Sequence, residues 1–386
     1  MSHAPSGLRI AVVGAGSSGL LLSLILQRQG HRVSLFERSG QLRTEGCGIL
    51  LVKSGVEAVA AAAIPGLLDD LLAGGHSVQR FVFRNLRGDL IEASPAERDD
   101  GDLPSLLIHR RAILDALWRH LDPACFQGDR SLVSWNQSDD GVVARFADGQ
   151  EWTGDLLVGA DGIFSRVAAL LAPGRRLQYL GDRVWRGVVT DETFCTNGDF
   201  FVYARGRGIY ANFFDLGPDG EGRGRTHWGF FQEEELPGDR ETRQRLLEEG
   251  VPAAALAKLP ADAAAVIAAT APEAVVANWS FDIDPLPTLV KGRVALIGDA
   301  AHAMSSSQAR GMTAGLEDAV ALAARLAPGA SGSLLVALQG YQEERLPVVH
   351  RYQERSRQVS HRTGRKRPPN RGSAGVHSPE QQRKML

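Results

Sequence analysis

An apolar run, Arg9-Ile10-Ala11-Val12-Val13, breaks at Gly14-Ala15-Gly16-Ser17-Ser18-Gly19 and continues as a helical pattern over residues 20–26, stopped at Gly30. A second run, residues 31–36, ends on Glu37. A short, uninterrupted, β-branched apolar run predicts a buried parallel strand. Strand, GxGxxG, helix, strand and closing acid at this spacing form the dinucleotide fingerprint of a doubly wound α/β sheet. Gly14 makes the tight turn, Gly16 lets a pyrophosphate approach the backbone, and Gly19 lets the helix close on the sheet. The helix amino end, where Ser18 stands, faces the phosphate charge. Glu37 bonds an adenosine ribose hydroxyl, which disfavours a 2′-phosphate there.

Two later segments repeat the pattern of a buried strand with an opened end. Residues 155–160 stop at Asp161-Gly162, and residues 292–297 stop at Gly298-Asp299. In open α/β sheets ligands lie along the carboxyl edge of the strands. One extended dinucleotide touched by Gly14–Gly19, Asp161 and Asp299 accounts for all three segments. Asp299 bonds a sugar-alcohol hydroxyl, and Gly298 admits the chain beside it. A helix beginning at Gly311 aims its amino end, with the Gly311 and Met312 N–H groups, at the redox ring beyond. Such a dipole stabilises negative charge by roughly 0.3–1 kcal/mol at exposed sites, which suits a reduced flavin.

Composition narrows the class further. The 386 residues carry a net charge of −2, which argues against broad nucleic-acid binding. Cys47, Cys125 and Cys195 are far apart and show neither CxxC nor Cys/His spacing. That predicts no metal, no disulfide framework and a reducing compartment. Residues 1–7 do not resemble a secretion signal, and the apolar stretch 20–26 is shorter than the roughly 20 residues a membrane span takes. A soluble, cytoplasmic protein is expected.

Three ordered motifs together resemble the FAD-dependent aromatic hydroxylases, the single-component flavoprotein monooxygenases with the para-hydroxybenzoate hydroxylase fold. They are Gly14-x-Gly16-x-x-Gly19; Gly159-Ala160-Asp161-Gly162-Ile163-x-Ser165; and Leu296-Ile297-Gly298-Asp299-Ala300-Ala301-His302 leading to Gly311 and Glu317-Asp318-Ala319. Arg43-x-x-Gly46-x-Gly48 and Ile108-His109-Arg110 resemble further parts of the family's FAD site. The resemblance implies FAD, held also by Arg38, Arg43, Gly48 and Arg110, with NADH or NADPH as reductant. It implies that O2 and a small aromatic substrate react through a flavin hydroperoxide, in a monomer or homodimer. Epoxidation, oxidative decarboxylation and double-bond reduction are alternatives on the same fold, and a flavin-bound scaffold or sensor is a non-enzyme alternative. The chain departs from the family at Ala303, Ser305 and Ser306, which stand in proline places. Ala309 replaces a glycine, Thr313 an asparagine, and Ala168 an arginine.

The expected organisation alternates between two domains. Residues 1–77, 104–174 and 286–361 build the Rossmann-like FAD-binding domain with C-terminal helices. A hairpin at 78–103 joins residues 175–285 in an inserted mixed-sheet substrate domain, and 362–386 is a basic, disordered tail. On the inserted sheet, Tyr210, Asn212 and Phe214 share one strand face, and Trp228 lies on another strand. With Arg186, Tyr203 and Arg205 they are the candidate pocket for a flat, largely apolar ligand; ordinary core packing is the alternative for the strand residues, and a surface or domain-interface role for Arg186. His302 is expected to be structural, and Cys47 an inert thiol.

Overall fold

The computed structural model describes residues 7–42, 46–96, 101–191, 193–330 and 332–362. Arg43 and the basic tail beyond Arg362 therefore lie outside the described residues. The strand Arg9–Val13 sits inside a six-stranded sheet, between Arg32–Phe36 and Leu156–Gly159, with Val294–Leu296 beyond the latter. All four run parallel, and Val13 is in register with Phe36 on one side and with Gly159 on the other. Gly159 is in turn in register with Leu296. Segments almost three hundred residues apart thus end on one edge of one sheet.

This sheet forms because its strands can be buried on both faces. Ile10, Ala11 and Val12 are fully buried, as are Leu20, Leu21, Leu22 and Leu24 of the following helix, Ser17–Arg28. Each such Leu or Ile contributes about 1.5–3 kcal/mol relative to exposure. The helix Arg310–Leu326 packs against Ser17–Arg28 with Leu316, Ala319 and Leu322 buried.

A second, seven-stranded sheet has the order Val276–Ile283, Leu177–Thr190, Gly224–Glu233, Ile209–Pro218, Asp199–Gly206, Arg80–Arg84 and Leu90–Pro95. The hairpin from Arg80 to Pro95 joins it by a parallel pairing with Asp199–Gly206. Alternation along the strands separates two faces. Trp185, Tyr203, Phe213, Trp228 and Phe230 form a core with the helices Ala253–Leu256 and Ala261–Ala268. The opposite face packs, at Phe214 and Leu216, against Val78 and Leu107.

The helix Leu334–Arg362 runs through Pro347. Its later turns are tied to the strand end at Asp282-Ile283. Arg357 makes two hydrogen bonds to the Asp282 carboxylate, at 2.8 and 2.9 Å, and Gln353 donates to the carbonyls of Ile283 and Ala303.

Candidate active site

The carboxyl edge of the first sheet borders two adjoining cavities. Gly14 has φ +109°, and a Cβ there would strike the Ala160 carbonyl; one at Gly19 would strike the Gly14 carbonyl. A Cβ at Gly16 would meet nothing within 4 Å. Two glycines are therefore required by the protein's own backbone, and the third leaves room for something else. Gly16 caps the helix Ser17–Arg28 without any side-chain bond, so the first-turn N–H donors remain available to an anion. The Glu37 carboxylate is fixed at the rim by the Ala15 N–H (3.0 Å) and the Ser39 N–H (3.1 Å).

A cleft of about 260 Å³ lies beside Glu37, lined also by Arg38, Arg110, Arg130, Leu132 and Phe164. It shares Gly16, Arg110, Ala160 and Gly162 with a second cavity of about 430 Å³. Ser18, Gly48, Gly298, Asp299, Gly311 and Met312 all line that second cavity. Gly298 adopts φ +60°, ψ −145°, a region closed to other residues. The exposed Asp299 carboxylate makes no hydrogen bond among the described residues. Open space at Gly16, bare helix ends and a free acid over a long groove are what an extended FAD requires. Glu37, Gly16 and Gly311–Met312 are the residues along it that could hold the sugar, pyrophosphate and ring ends of such a cofactor.

Asp161 lies at this edge but spends its carboxylate inside the protein. It accepts from Ser165 Oγ (2.5 Å), Arg166 N (2.7 Å) and Val167 N (3.3 Å), capping the helix Arg166–Leu171. Burial pushes its pKa up despite those bonds. Ala168 is wholly buried in this helix, and a cation reaches the region from Arg175 instead. The Arg175 guanidinium donates to the Ile163 carbonyl, and its other two nitrogens have no partner among the described residues. Burial lowers it to about 10, against the pull of Asp161 and Asp299.

The departures in the third motif acquire a physical reading. Ala309 occupies φ +52°, the left-handed conformation that glycine adopts freely, and caps the helix Arg310–Leu326. The serines tie the preceding loop to the last helix: Ser305 Oγ lies 2.7 Å from Ser360 Oγ, and Ser307 Oγ donates to the Ser356 carbonyl at 2.8 Å. Hydrogen bonds restrain this loop where prolines would restrain it through φ. His302 is buried, and its Nε2 lies 2.5 Å from Asp318 Oδ2. Asp318 also accepts from Gly298 N (2.9 Å) and Arg345 Nε (2.8 Å). His302 holds Gly298 in place through Asp318 and lies away from the cavity lining.

Beyond Met312 the cavity meets the free face of the seven-stranded sheet. Its walls there are Phe200, Phe214, Phe231, Arg186, Asn212 and His227. The Gly48 N–H donates to His227 Nδ1 at 3.0 Å. Burial first, and the charge of Arg186 second, hold His227 well below its ordinary pKa, so it is neutral. Gly48 has to be glycine, since a Cβ would come within 2.5 Å of Phe214 and 2.7 Å of His227.

Of the sequence-derived pocket residues, Arg186, Asn212 and Phe214 line this cavity, whereas Tyr203, Arg205 and Trp228 lie elsewhere. Trp228 points into the opposite core and donates to Thr270 Oγ1 at 2.7 Å. Tyr203 belongs to that same core. Arg205 is committed to Asp182 (3.0 Å) and Glu233 (3.3 Å). Tyr210 shares the cavity face but packs edge-on against Phe231, with ring centroids 5.1 Å apart. His227, Phe200, Phe231, Arg130 and Phe164 escaped the sequence reading. Strand parity alone puts His227 and Phe231 on the face opposite Trp228, but parity does not say which face meets the groove.

Fold and groove define a flavin-binding protein, and comparison with known proteins agrees. The FAD binding domain family matches residues 8–356, so the chain belongs to that family. Aurachin C monooxygenase/isomerase of Stigmatella aurantiaca is 31% identical over 353 residues, covering 88% of this chain and 86% of that protein. Salicylate hydroxylase of Pseudomonas putida is 29% identical, covering 92% and 85%. Among solved structures, Klebsiella pneumoniae HpxO complexed with FAD and uric acid has a TM-score of 0.79 at 24% identity, covering 93% and 90%. The chain is an FAD-dependent monooxygenase of the aromatic-hydroxylase class. Among the described residues no group of His, Cys, Asp and Glu is arranged to hold a metal, and no helix is long and apolar enough to cross a membrane.

Proposed function

We propose that this enzyme hydroxylates a flat aromatic or heteroaromatic molecule lying between Met312 and the sheet face of Phe200, Phe214 and Phe231, with NADH or NADPH as reductant. One observation carries the reading: the cleft beside Glu37 adjoins, at Gly16, Arg110, Ala160 and Gly162, the cavity that reaches that aromatic face. When bound, FAD supplies the redox chemistry that moves electrons from the nicotinamide to O2 and one oxygen atom to the ring. The protein's part is positional. The amino end of Arg310–Leu326 directs its unpaired N–H groups toward the ring end of the groove, where they favour negative charge. The three phenylalanines exclude water from the reacting faces. Glu37, Ser18, Arg110 and Asp299 hold the cofactor's polar length.

Salicylate, urate and aminohydroxybenzoate are the substrates named for relatives of this chain, and they define the panel to try first. The test follows NAD(P)H loss and O2 uptake by the FAD-loaded protein over phenols, anilines and hydroxylated heterocycles, with product mass read for one added oxygen. A product lacking that oxygen, or no stimulation by any compound, overturns the reading. The three cysteines, none of them bridged, suit a cytoplasmic location, and sedimentation distinguishes a working monomer from a homodimer.

A further inference from the structure

The seven-stranded sheet carries a second cleft, of about 620 Å³, on the face turned away from the catalytic cavity. It opens between the strand Asp199–Gly206 and the helix Ala261–Ala268. Neighbouring residues of that strand serve opposite sides: Phe200 lines the catalytic cavity, whereas Phe201 and Tyr203 line this cleft. Val189, Phe194 and Val266 complete its apolar walls. The Phe194 and Phe201 rings meet edge to face, with centroids 5.7 Å apart. Apolar walls around a few polar groups are the usual form of a small-molecule site.

Three polar groups converge on the cleft without being spent on one another. Tyr203 is 2% exposed, yet its hydroxyl makes no hydrogen bond among the described residues; a buried phenol ordinarily finds a partner. Burial raises its pKa to about 12, with Asp262 adding to the rise and Arg84 opposing it, so an anion and a cation both stand near that oxygen. Arg84 donates to the Gly88 carbonyl at 2.9 Å and lies 5.7 Å from the centre of the Phe201 ring, with no carboxylate partner among the described residues. Asp262 Oδ1 accepts from the Ala263 N–H at 2.8 Å, and Asp262 makes no ion pair with Arg84 or any other described residue. The remaining described acid at the edge, Asp191, is taken up by the N–H groups of Thr193 (3.1 Å) and Phe194 (3.2 Å).

A guanidinium beside a phenol O–H suits a carboxylate. A simple carboxylic acid would leave Asp262 facing a like charge, and a simple amine would leave Arg84 and Tyr203 unmatched. A head group bearing both charges satisfies all three. We infer that this cleft is a second, non-catalytic binding site for an aromatic α-amino acid. Its carboxylate meets Arg84 and the Tyr203 hydroxyl, its ammonium meets Asp262, and its ring packs against Phe194 and Phe201.

Calorimetric titration of the FAD-loaded protein with L-phenylalanine, 3-phenylpropionate and 2-phenylethylamine tests the assignment. L-phenylalanine should bind tightest, and loss of either head-group charge should weaken binding about tenfold or more, as for one charge-assisted hydrogen bond. Arg84→Gln should weaken L-phenylalanine and leave 2-phenylethylamine unaffected. Asp262→Asn should bring L-phenylalanine down to the level of 3-phenylpropionate, and Tyr203→Phe should weaken both carboxylates. Arg186→Gln, on the catalytic face, should leave L-phenylalanine binding unchanged. Flavin content, read by absorbance, reports whether each variant has folded. If the unaltered protein binds L-phenylalanine no tighter than either analogue, the inference is overturned, and that comparison needs no variant. Binding lost with Arg186→Gln but kept with Arg84→Gln places the amino acid in the catalytic cavity and overturns it too, leaving the hydroxylase reading intact. Absence of heat with all three compounds at millimolar concentration also overturns it.

Discussion

His302 and Asp318 form a solvent-free pair, Nε2 to Oδ2 at 2.5 Å, directly behind the backbone turn that carries Asp299. Burial opposes both charges, yet their mutual attraction raises the His302 pKa above 6.5 and lowers that of Asp318 below 3.8. Arg345 and the Gly298 N–H complete the carboxylate's bonding. Removing one member of such a pair leaves a buried charge uncompensated.

Asp318→Asn should therefore destabilise the protein by about 3–5 kcal/mol, read by chemical denaturation. The pH dependence follows from the signs. The His302 contribution is complete below pH 6.5 and is lost as pH rises through its raised folded value. The Asp318 contribution is complete above 3.8 and is lost as pH falls through its lowered one. Thermal unfolding across pH should fall off on both sides, and His302→Gln should remove the alkaline loss.

The glycines of the first turn should separate by role. Gly14→Ala forces a side chain into the Ala160 carbonyl from a left-handed backbone, and should cost about 1–3 kcal/mol or more. Gly16→Ala meets open space and should change apoprotein stability by no more than about 1 kcal/mol, while FAD retention falls sharply. The flavin-to-protein absorbance ratio, beside apoprotein melting, checks both.

Trp228→Phe tests which face of the sheet is functional. Losing the bond to buried Thr270 should cost about 1–3 kcal/mol, with ligand affinity unchanged. A weakened ligand without a stability change would contradict the placement.

The thiols should react unequally with iodoacetamide at pH 8. Burial pushes Cys125 up to about 11 and Cys195 higher still, so neither supplies thiolate. Cys47, expected from the sequence to be an inert thiol, is instead half-buried and lines the cavity. Mass spectrometry should find alkylation at Cys47 alone, slowed by bound FAD.

The strand ends at Gly14, Gly159 and Leu296 were legible in the sequence because the required turns are local: a glycine forced to positive φ announces itself within a few residues. The substrate side was half legible. Asn212 and Phe214 follow from alternation along one strand, but Trp228, a candidate by its ring, faces the other way. Which face meets the groove depends on the pairing of Arg186, Gly229 and Asn212, strands joined over tens of residues by register that no local pattern encodes. Arg175 escaped for the same reason, since it enters from beyond a helix to stand near Asp161.

The serine ties between the 305–307 loop and the last helix bear on the order of assembly. Ser305 and Ser307 emerge from the ribosome some fifty residues before Ser356 and Ser360, their anchors. A chain still under synthesis has its first sheet in hand but no restraint on the loop beside Met312. That restraint is therefore made last, and a chain that stops before residue 356 leaves the loop beside Met312 without either tie.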